Sequence, residues 1–317
     1  MSKFSDQITI TTGEEMYAAG RRAAPKILLF GPSGSGKTSL LASVDPDCTG
    51  LALFVALEPQ GVEVAIGVNP KLHIYDVHTA AKDRNLTRYQ LLRELGGWMM
   101  KENFPYRVVC IDGLTELSRA ILDDFHTKTA KGEVTDTDWM GYTGAMQRYL
   151  TFVRDVQGVT VVMSCLAEAQ FDADHVYRLI PAIEGKKLPP TVPAYCNAVG
   201  YTFRQENEQG ESEYLTMFSG PERYTTKPMC GLARTEPSDL RRMLARIYAA
   251  LPGDSESHAP WVLREGDADE VEPTLPPTHE SAEVGDRIRK ARAEEALAKS
   301  KKKTARAEGK NPGGVQI

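Results

Sequence analysis

Gly31-Pro32-Ser33-Gly34-Ser35-Gly36-Lys37-Thr38 satisfies the pattern G-x-x-x-x-G-K-[ST] at every fixed position. The chemistry such a stretch supports is the binding of a phosphate chain. Glycines let the backbone curl until successive N–H groups converge on phosphate oxygens, and the helix that follows adds its positive dipole end. Lys37 is placed to reach the β- and γ-phosphates, and the Thr38 hydroxyl to complete a Mg²⁺ shell. With Ser39 in the opening helical turn, residues 31–39 make one candidate nucleotide site, and ATP with Mg²⁺ is the expected ligand.

Three further polar residues stand where they would serve that site, each closing an apolar run. Asp112 ends Val108-Val109-Cys110-Ile111 and is expected to hold Mg²⁺ beside Thr38. Glu58 ends the run Leu51–Leu57. A carboxylate at a strand's carboxyl end faces the crevice where α/β sheets bind ligands, so Glu58 is the candidate base for the attacking water. Ser164 follows Val159–Met163 and reads either as a γ-phosphate sensor or as a turn former.

The elements that must position these residues are legible as short apolar runs without turn residues. Strands are expected at Lys26–Phe30, Leu51–Leu57, Leu72–Val77, Val108–Ile111 and Val159–Met163, with an edge strand at Ile8–Thr12. Helical spacing marks Leu86–Met100, with Leu91, Leu92, Leu95, Trp98 and Met99 as its core stripe. It also marks Leu114–Thr127 and the helix carrying Met140, Tyr142, Met146 and Tyr149, with Thr137 or Asp138 as its cap. Past Ser164 the pattern turns to strands at Val176–Ile180, Ala198–Phe203, Tyr214–Phe218 and Tyr224–Thr226. A short helix around Arg241–Tyr248 closes the folded part near Pro252.

Composition sets the bounds. The 317 residues are 41% hydrophobic, enough for a substantial core, and a net charge of −5 gives no general attraction to nucleic acid. Five scattered cysteines lack any metal-ligand spacing and read as reduced thiols, as expected in a cytoplasm. No apolar run approaches the length of a membrane span, and a signal-peptide core is absent, so a soluble protein is expected.

The strand-rich continuation separates the chain from hexameric AAA+ motors, which carry a helical lid there, and from small-molecule kinases with an arginine-rich lid. The set GPSGSGKTS, Glu58, VVCIDGLTEL, VVMSCLAE, PAIEGKKLPP, YTTKPMCGL and EPSDLRRML resembles a phage family of RecA-like P-loop ATPases that includes the Sak-type single-strand annealing proteins. The resemblance covers roughly residues 24–250. It implies an α/β, RecA-like core with a mostly parallel sheet flanked by helices, a β-rich C-terminal extension and a disordered tail. It further implies ATP hydrolysis with Glu58 as base, assembly into a ring or filament, and Lys227 acting in trans on a neighbour's nucleotide. Relatives often end the sensor strand in histidine or glutamine and pair the trans lysine with arginine. Here Ser164-Cys165 and Pro228-Met229 stand instead, which points to slow turnover.

On the same resemblance, residues 169–197 correspond to the region turned toward single-stranded DNA. They offer Arg178, Lys186 and Lys187 to phosphates, with Phe171, His175 and Tyr177 for base stacking. Residues 253–317 read as a disordered tail, acidic from Asp254 to Glu283 and basic from Arg287 to Lys310. The basic block is a second candidate for DNA contact. The expected function is therefore an ATPase coupled to single-stranded DNA in recombination or annealing. The alternative is a slow ATPase switch or loader that grips a helicase, a single-strand binding protein or another replication protein. A phosphotransferase with a small acceptor is the third reading.

Overall fold

The computed structural model describes residues 24–126, 134–171, 177–207, 209–251 and 261–269. The strand expected at Ile8–Thr12, His175, Val176 and nearly all of the proposed tail lie outside the described residues.

Six parallel strands build the centre. They are β1 (Lys26–Gly31), β2 (Ala52–Ala56), β3 (His73–Asp76), β4 (Val108–Asp112), β5 (Thr160–Phe171) and β7 (Ala198–Glu206). Their lateral order is β3-β2-β4-β5-β1-β7, and β8 (Ser212–Met217) and β9 (Thr235–Pro237) continue it antiparallel beyond β7. The far half of β5 leaves this sheet and pairs antiparallel with β6 (Tyr177–Pro181). All of β1 and β2 is buried, which is why they read as unbroken apolar runs rather than alternating ones. The pleat still sorts them: Leu28 and Phe30 enter the core on one face, Ile27 and Leu29 that on the other.

Helices cover both faces. α1 (Lys37–Ala42), α2 (Pro59–Val68) and α7 (Leu240–Ala250) lie on the Ile27 side. α4 (Arg88–Met99), α5 (Leu114–Phe125) and α6 (Asp136–Asp155) lie on the Phe30 side, and α3 (Val77–Arg84) precedes them. The cap of α6 is Thr135, whose hydroxyl accepts from the Asp138 N–H while the Asp138 carboxylate accepts from the Thr135 N–H. The expected cap at residue 137 or 138 is therefore two to three residues late.

Several expectations need correction. Tyr224–Thr226 forms no strand; Tyr224 and Lys227 make only single bridges, to Leu179 and Val199. Trp98 and Met140 are not core residues: Trp98 is exposed, set edge-on to the partly buried rings of Phe104 and Tyr106, and Met140 is 77% exposed. The folded part also does not stop near Pro252. Trp261 is 2% exposed, donates its indole N–H to the Val44 carbonyl at 2.8 Å and stacks on Tyr248. Arg241 on α7 meets Asp267 at 2.5 Å in a buried pair, so residues 261–269 pack on the Ile27 face. Residues read as an acidic tail are, over that stretch, part of the domain.

Candidate nucleotide site

β1 delivers the chain to the carboxyl edge of the sheet, and the phosphate loop bridges from there to α1. A Cβ at Gly31 would come within 2.2 Å of the Thr202 carbonyl oxygen on β7, so only glycine lets the two backbones approach this closely. Gly36 caps α1 at φ +80°, and the Tyr214 ring from β8 lies against it. The Ser35 hydroxyl bonds that of Thr202 at 2.9 Å, pinning the loop to β7. Lys37 Nζ folds across the loop mouth and donates to the carbonyls of Gly31 (3.0 Å) and Pro32 (2.6 Å). Burial pushes this ammonium down to about 8, and Asp112 nearby opposes part of the shift.

The order β4-β5-β1 puts the Ser164 strand between the phosphate-loop strand and the Asp112 strand. Both Asp112 oxygens are consequently engaged. Oδ2 accepts from the Thr38 hydroxyl at 2.9 Å, and Oδ1 accepts from the buried Ser164 hydroxyl. A hydroxyl and a carboxylate oxygen in contact at the start of α1 form the hard-oxygen pair a Mg²⁺ ion takes alongside phosphate oxygens. Among the described residues there is no cluster of three His, Cys, Asp or Glu that would hold a metal without a nucleotide. The donor set fits Mg²⁺ bound together with phosphates.

Glu58 sits where β2 ends and α2 begins, with Pro59 in the first turn. The Leu57 N–H donates to the Asp112 carbonyl at 2.8 Å, which ties the two strand tips together. Glu58, Lys37, Thr38, Asp112, Ser164 and Tyr214 line one cleft of about 460 Å³. The Glu58 carboxyl is raised above the ordinary carboxylate range by partial burial first, then by Glu116 and Asp112, and Glu116 lines the same cleft.

The cleft thus gathers most of the 31–39 loop, Glu58, Asp112 and Ser164 from four separate stretches of sequence. It does not gather the others. Lys227 is bridged to the start of β7, and its ammonium donates to the Cys196 carbonyl at 2.6 Å. That is the amino-terminal edge of the sheet, opposite the phosphate loop. Arg178 on β6 donates to the Glu222 carbonyl, and the Tyr177 ring meets Phe171 edge-on. Lys186 and Lys187 are exposed in the bend after β6.

Sequence reading missed Tyr214, Glu116 and Arg119. Glu116 is held by Arg88 at 3.7 Å and by Arg119, three residues on along α5. A glutamate four residues beyond a strand-end aspartate was the available signal; it reads as a solvated helix charge until the fold brings α5 beside Glu58.

No curated protein matches the chain significantly. A family model described as an AAA domain matches residues 23–229, which spans β1 through the segment after β8 and includes every cleft residue named above. The match bears the AAA name, while the described residues between β5 and α7 form strands β6–β9 and a short 3-10 helix at Pro189–Tyr195, not the helical lid of the motors set aside above. On this match and this cleft, the chain belongs to the AAA domain family of P-loop ATPases.

Proposed function

We propose that the protein is a RecA-like ATPase that binds ATP·Mg²⁺ in this cleft and couples its nucleotide state to single-stranded DNA. The observation that carries the nucleotide part is the contact of Thr38 and Ser164 with the two oxygens of Asp112 at the mouth of the phosphate loop. Lys37 exchanges its carbonyl partners for phosphate oxygens, while Thr38 and Asp112 would hold Mg²⁺, which supplies charge neutralisation along the phosphates. Glu58 orients and deprotonates water at the γ-phosphate end. Tyr214, whose ring lies against Gly36 in the same cleft, would offer a surface on which a nucleotide base could stack.

The DNA part is supported by the exposed Lys186 and Lys187 beside an aromatic hairpin and by the strand-rich continuation after β5. In this reading the chain acts in recombination or annealing within the cytoplasm, assembles as a ring or filament, and Lys227 contacts the nucleotide of a neighbouring copy. A second reading, a slow switch that grips a replication protein, is favoured by Ser164-Cys165 standing where relatives end the sensor strand in histidine or glutamine.

Steady-state ATP hydrolysis with and without an oligothymidylate, at low and moderate salt, separates the two. Stimulation that weakens with salt is expected. Turnover indifferent to the oligonucleotide contradicts the DNA coupling and supports the switch.

A further inference from the structure

The ladder between β1 and β7 ends at the pair Phe30 and Tyr201, so Thr202 stands one residue further on, where the phosphate loop leaves the sheet. Thr202 is fully buried and does not line the cleft. Its hydroxyl meets the Ser35 hydroxyl at 2.9 Å and donates to the Phe30 carbonyl at 3.4 Å. The Lys37 ammonium in turn donates to the Ser35 hydroxyl at 3.3 Å. An ammonium only donates, so the chain has one consistent proton order: Lys37 to Ser35, Ser35 to Thr202, Thr202 to the Phe30 carbonyl. Ser35, 2% exposed, therefore directs its proton into the protein and not at a phosphate.

The β7–β8 hairpin touches the loop a second time. Thr202 pairs with Thr216 and Arg204 with Tyr214, and residues two apart along a strand share a face. Thr202 and Tyr214 are thus on one side of the hairpin, the first against Gly31 and Ser35, the second against Gly36. There is no slack at the first contact: a Cβ on Gly31 would lie 2.3 Å from the Thr202 hydroxyl oxygen. Between these points the loop has little of its own to hold its shape. Gly34 and Gly36 both take positive φ, and Ser35 between them is the residue whose side chain is anchored in the fold.

We propose that Thr202 is a positioning residue for the nucleotide: through Ser35 it holds the phosphate loop in its binding shape before the ligand arrives. A loop that must be ordered at the moment of binding subtracts that cost from affinity, and a loop already pinned does not. Removing the Thr202 hydroxyl leaves the buried Ser35 hydroxyl without its acceptor, a defect the loop relieves only by shifting away from β7. Thr202 is remote from Glu58 and Asp112 in this scheme, so it acts on binding and not on the chemical step. The inference rests on the nucleotide reading above and is independent of the DNA reading.

The test is calorimetric titration of ATP·Mg²⁺ into the full chain and into Thr202→Val, Thr202→Ser, Ser35→Ala and the double variant Thr202→Val/Ser35→Ala, with steady-state turnover of each. Thr202→Val keeps the branched shape and removes the hydroxyl. It is expected to weaken ATP binding and raise KM about tenfold, while kcat at saturating ATP moves by less than about twofold. Thr202→Ser, which keeps the hydroxyl, should recover wild-type affinity. Both losses come from one bond, so the double variant should bind about as well as Thr202→Val, not about a hundredfold more weakly than wild type as independent effects would give. Equal affinity in wild type and Thr202→Val overturns the proposal. So does a loss that Thr202→Ser fails to recover, a pair of losses that multiply in the double variant, or a kcat that falls by the same factor as affinity. If Thr202→Val does not fold, Ser35→Ala decides from the loop side: about tenfold weaker binding supports the pin, and wild-type affinity overturns it. Absence of ATP binding by the wild type removes the nucleotide reading and this proposal together, whereas wild-type binding with an indifferent Thr202→Val removes this proposal alone.

Discussion

Asp112 takes a hydroxyl on each carboxylate oxygen, and Glu58 shares the cleft with a second glutamate, Glu116. In the proposed function Asp112, engaged on both oxygens, is the metal carboxylate, and Glu58, raised above the ordinary carboxylate range by partial burial and by Glu116 and Asp112, is the base. Glu58→Gln should retain ATP affinity and lose turnover by about 10²–10⁴-fold, the range a positioned base supplies. Turnover within tenfold of wild type would place the base elsewhere. Lys37 makes a pH prediction. Phosphate favours the charged ammonium, so the bound group has a higher pKa than the free one at about 8. Binding near pH 8 should take up a proton, and affinity should weaken as pH rises through that value. Titration calorimetry in buffers of different ionisation heat checks both. Identical heats in such buffers would remove Lys37 as the titrating group.

At the scale of elements, α5 joins the site to the bend after β6. Ser118 is its fulcrum: the buried hydroxyl bonds Tyr142 at 2.7 Å and accepts the Glu184 N–H. Ser118→Ala leaves that buried N–H without its partner and should cost about 1–3 kcal/mol in a urea titration. An unchanged midpoint would mean the bend is held from elsewhere. The elements differ in how readable they were. The parallel strands announced themselves because both faces are buried, leaving no polar residue to interrupt the run. α2 did not, since Pro59–Val68 carries apolar residues on all sides; Val64, Ile66 and Val68 are exposed, and no 3.6-residue stripe marks it. Glu116 and Arg119 have ordinary helix-surface identities, and only tertiary packing sets Glu116 in the cleft with Glu58 and Arg119 beside Glu184. The phosphate loop was legible because its constraint is local; Tyr214 was not, because its contact with Gly36 crosses two strands of the sheet.

For the whole molecule, the described fold includes a stretch that composition assigns to a tail. Trp261 opens only a three-residue apolar run, Trp261-Val262-Leu263, of which Val262 and Leu263 are exposed, so no element-length pattern marks it. Its burial against Val44 and Tyr248 is purely tertiary. Trp261→Ala should destabilise the domain by about 3–5 kcal/mol, the usual range for removing a buried tryptophan. Thermal or urea unfolding reads this directly, and a shift below about 1 kcal/mol would show that residues 261–269 are not part of the cooperative unit. Among the described residues no helix is long and apolar enough to cross a membrane. The cysteines are free thiols, with Cys110, Cys165 and Cys196 buried. Within the cleft Glu58, Asp112 and Glu116 accompany the single lysine of the loop, Lys37.

That balance makes one measurement the most direct. Calorimetric titration of ATP·Mg²⁺ into the wild-type chain and into Lys37→Ala, at pH 7, asks whether the cleft is a nucleotide site at all. The account predicts one saturable site in the wild type. It predicts a loss of at least about tenfold to a hundredfold in the variant, since charged hydrogen bonds contribute about 1.5–3 kcal/mol, with unchanged thermal unfolding of the free protein. Equal affinity in the two proteins would contradict it.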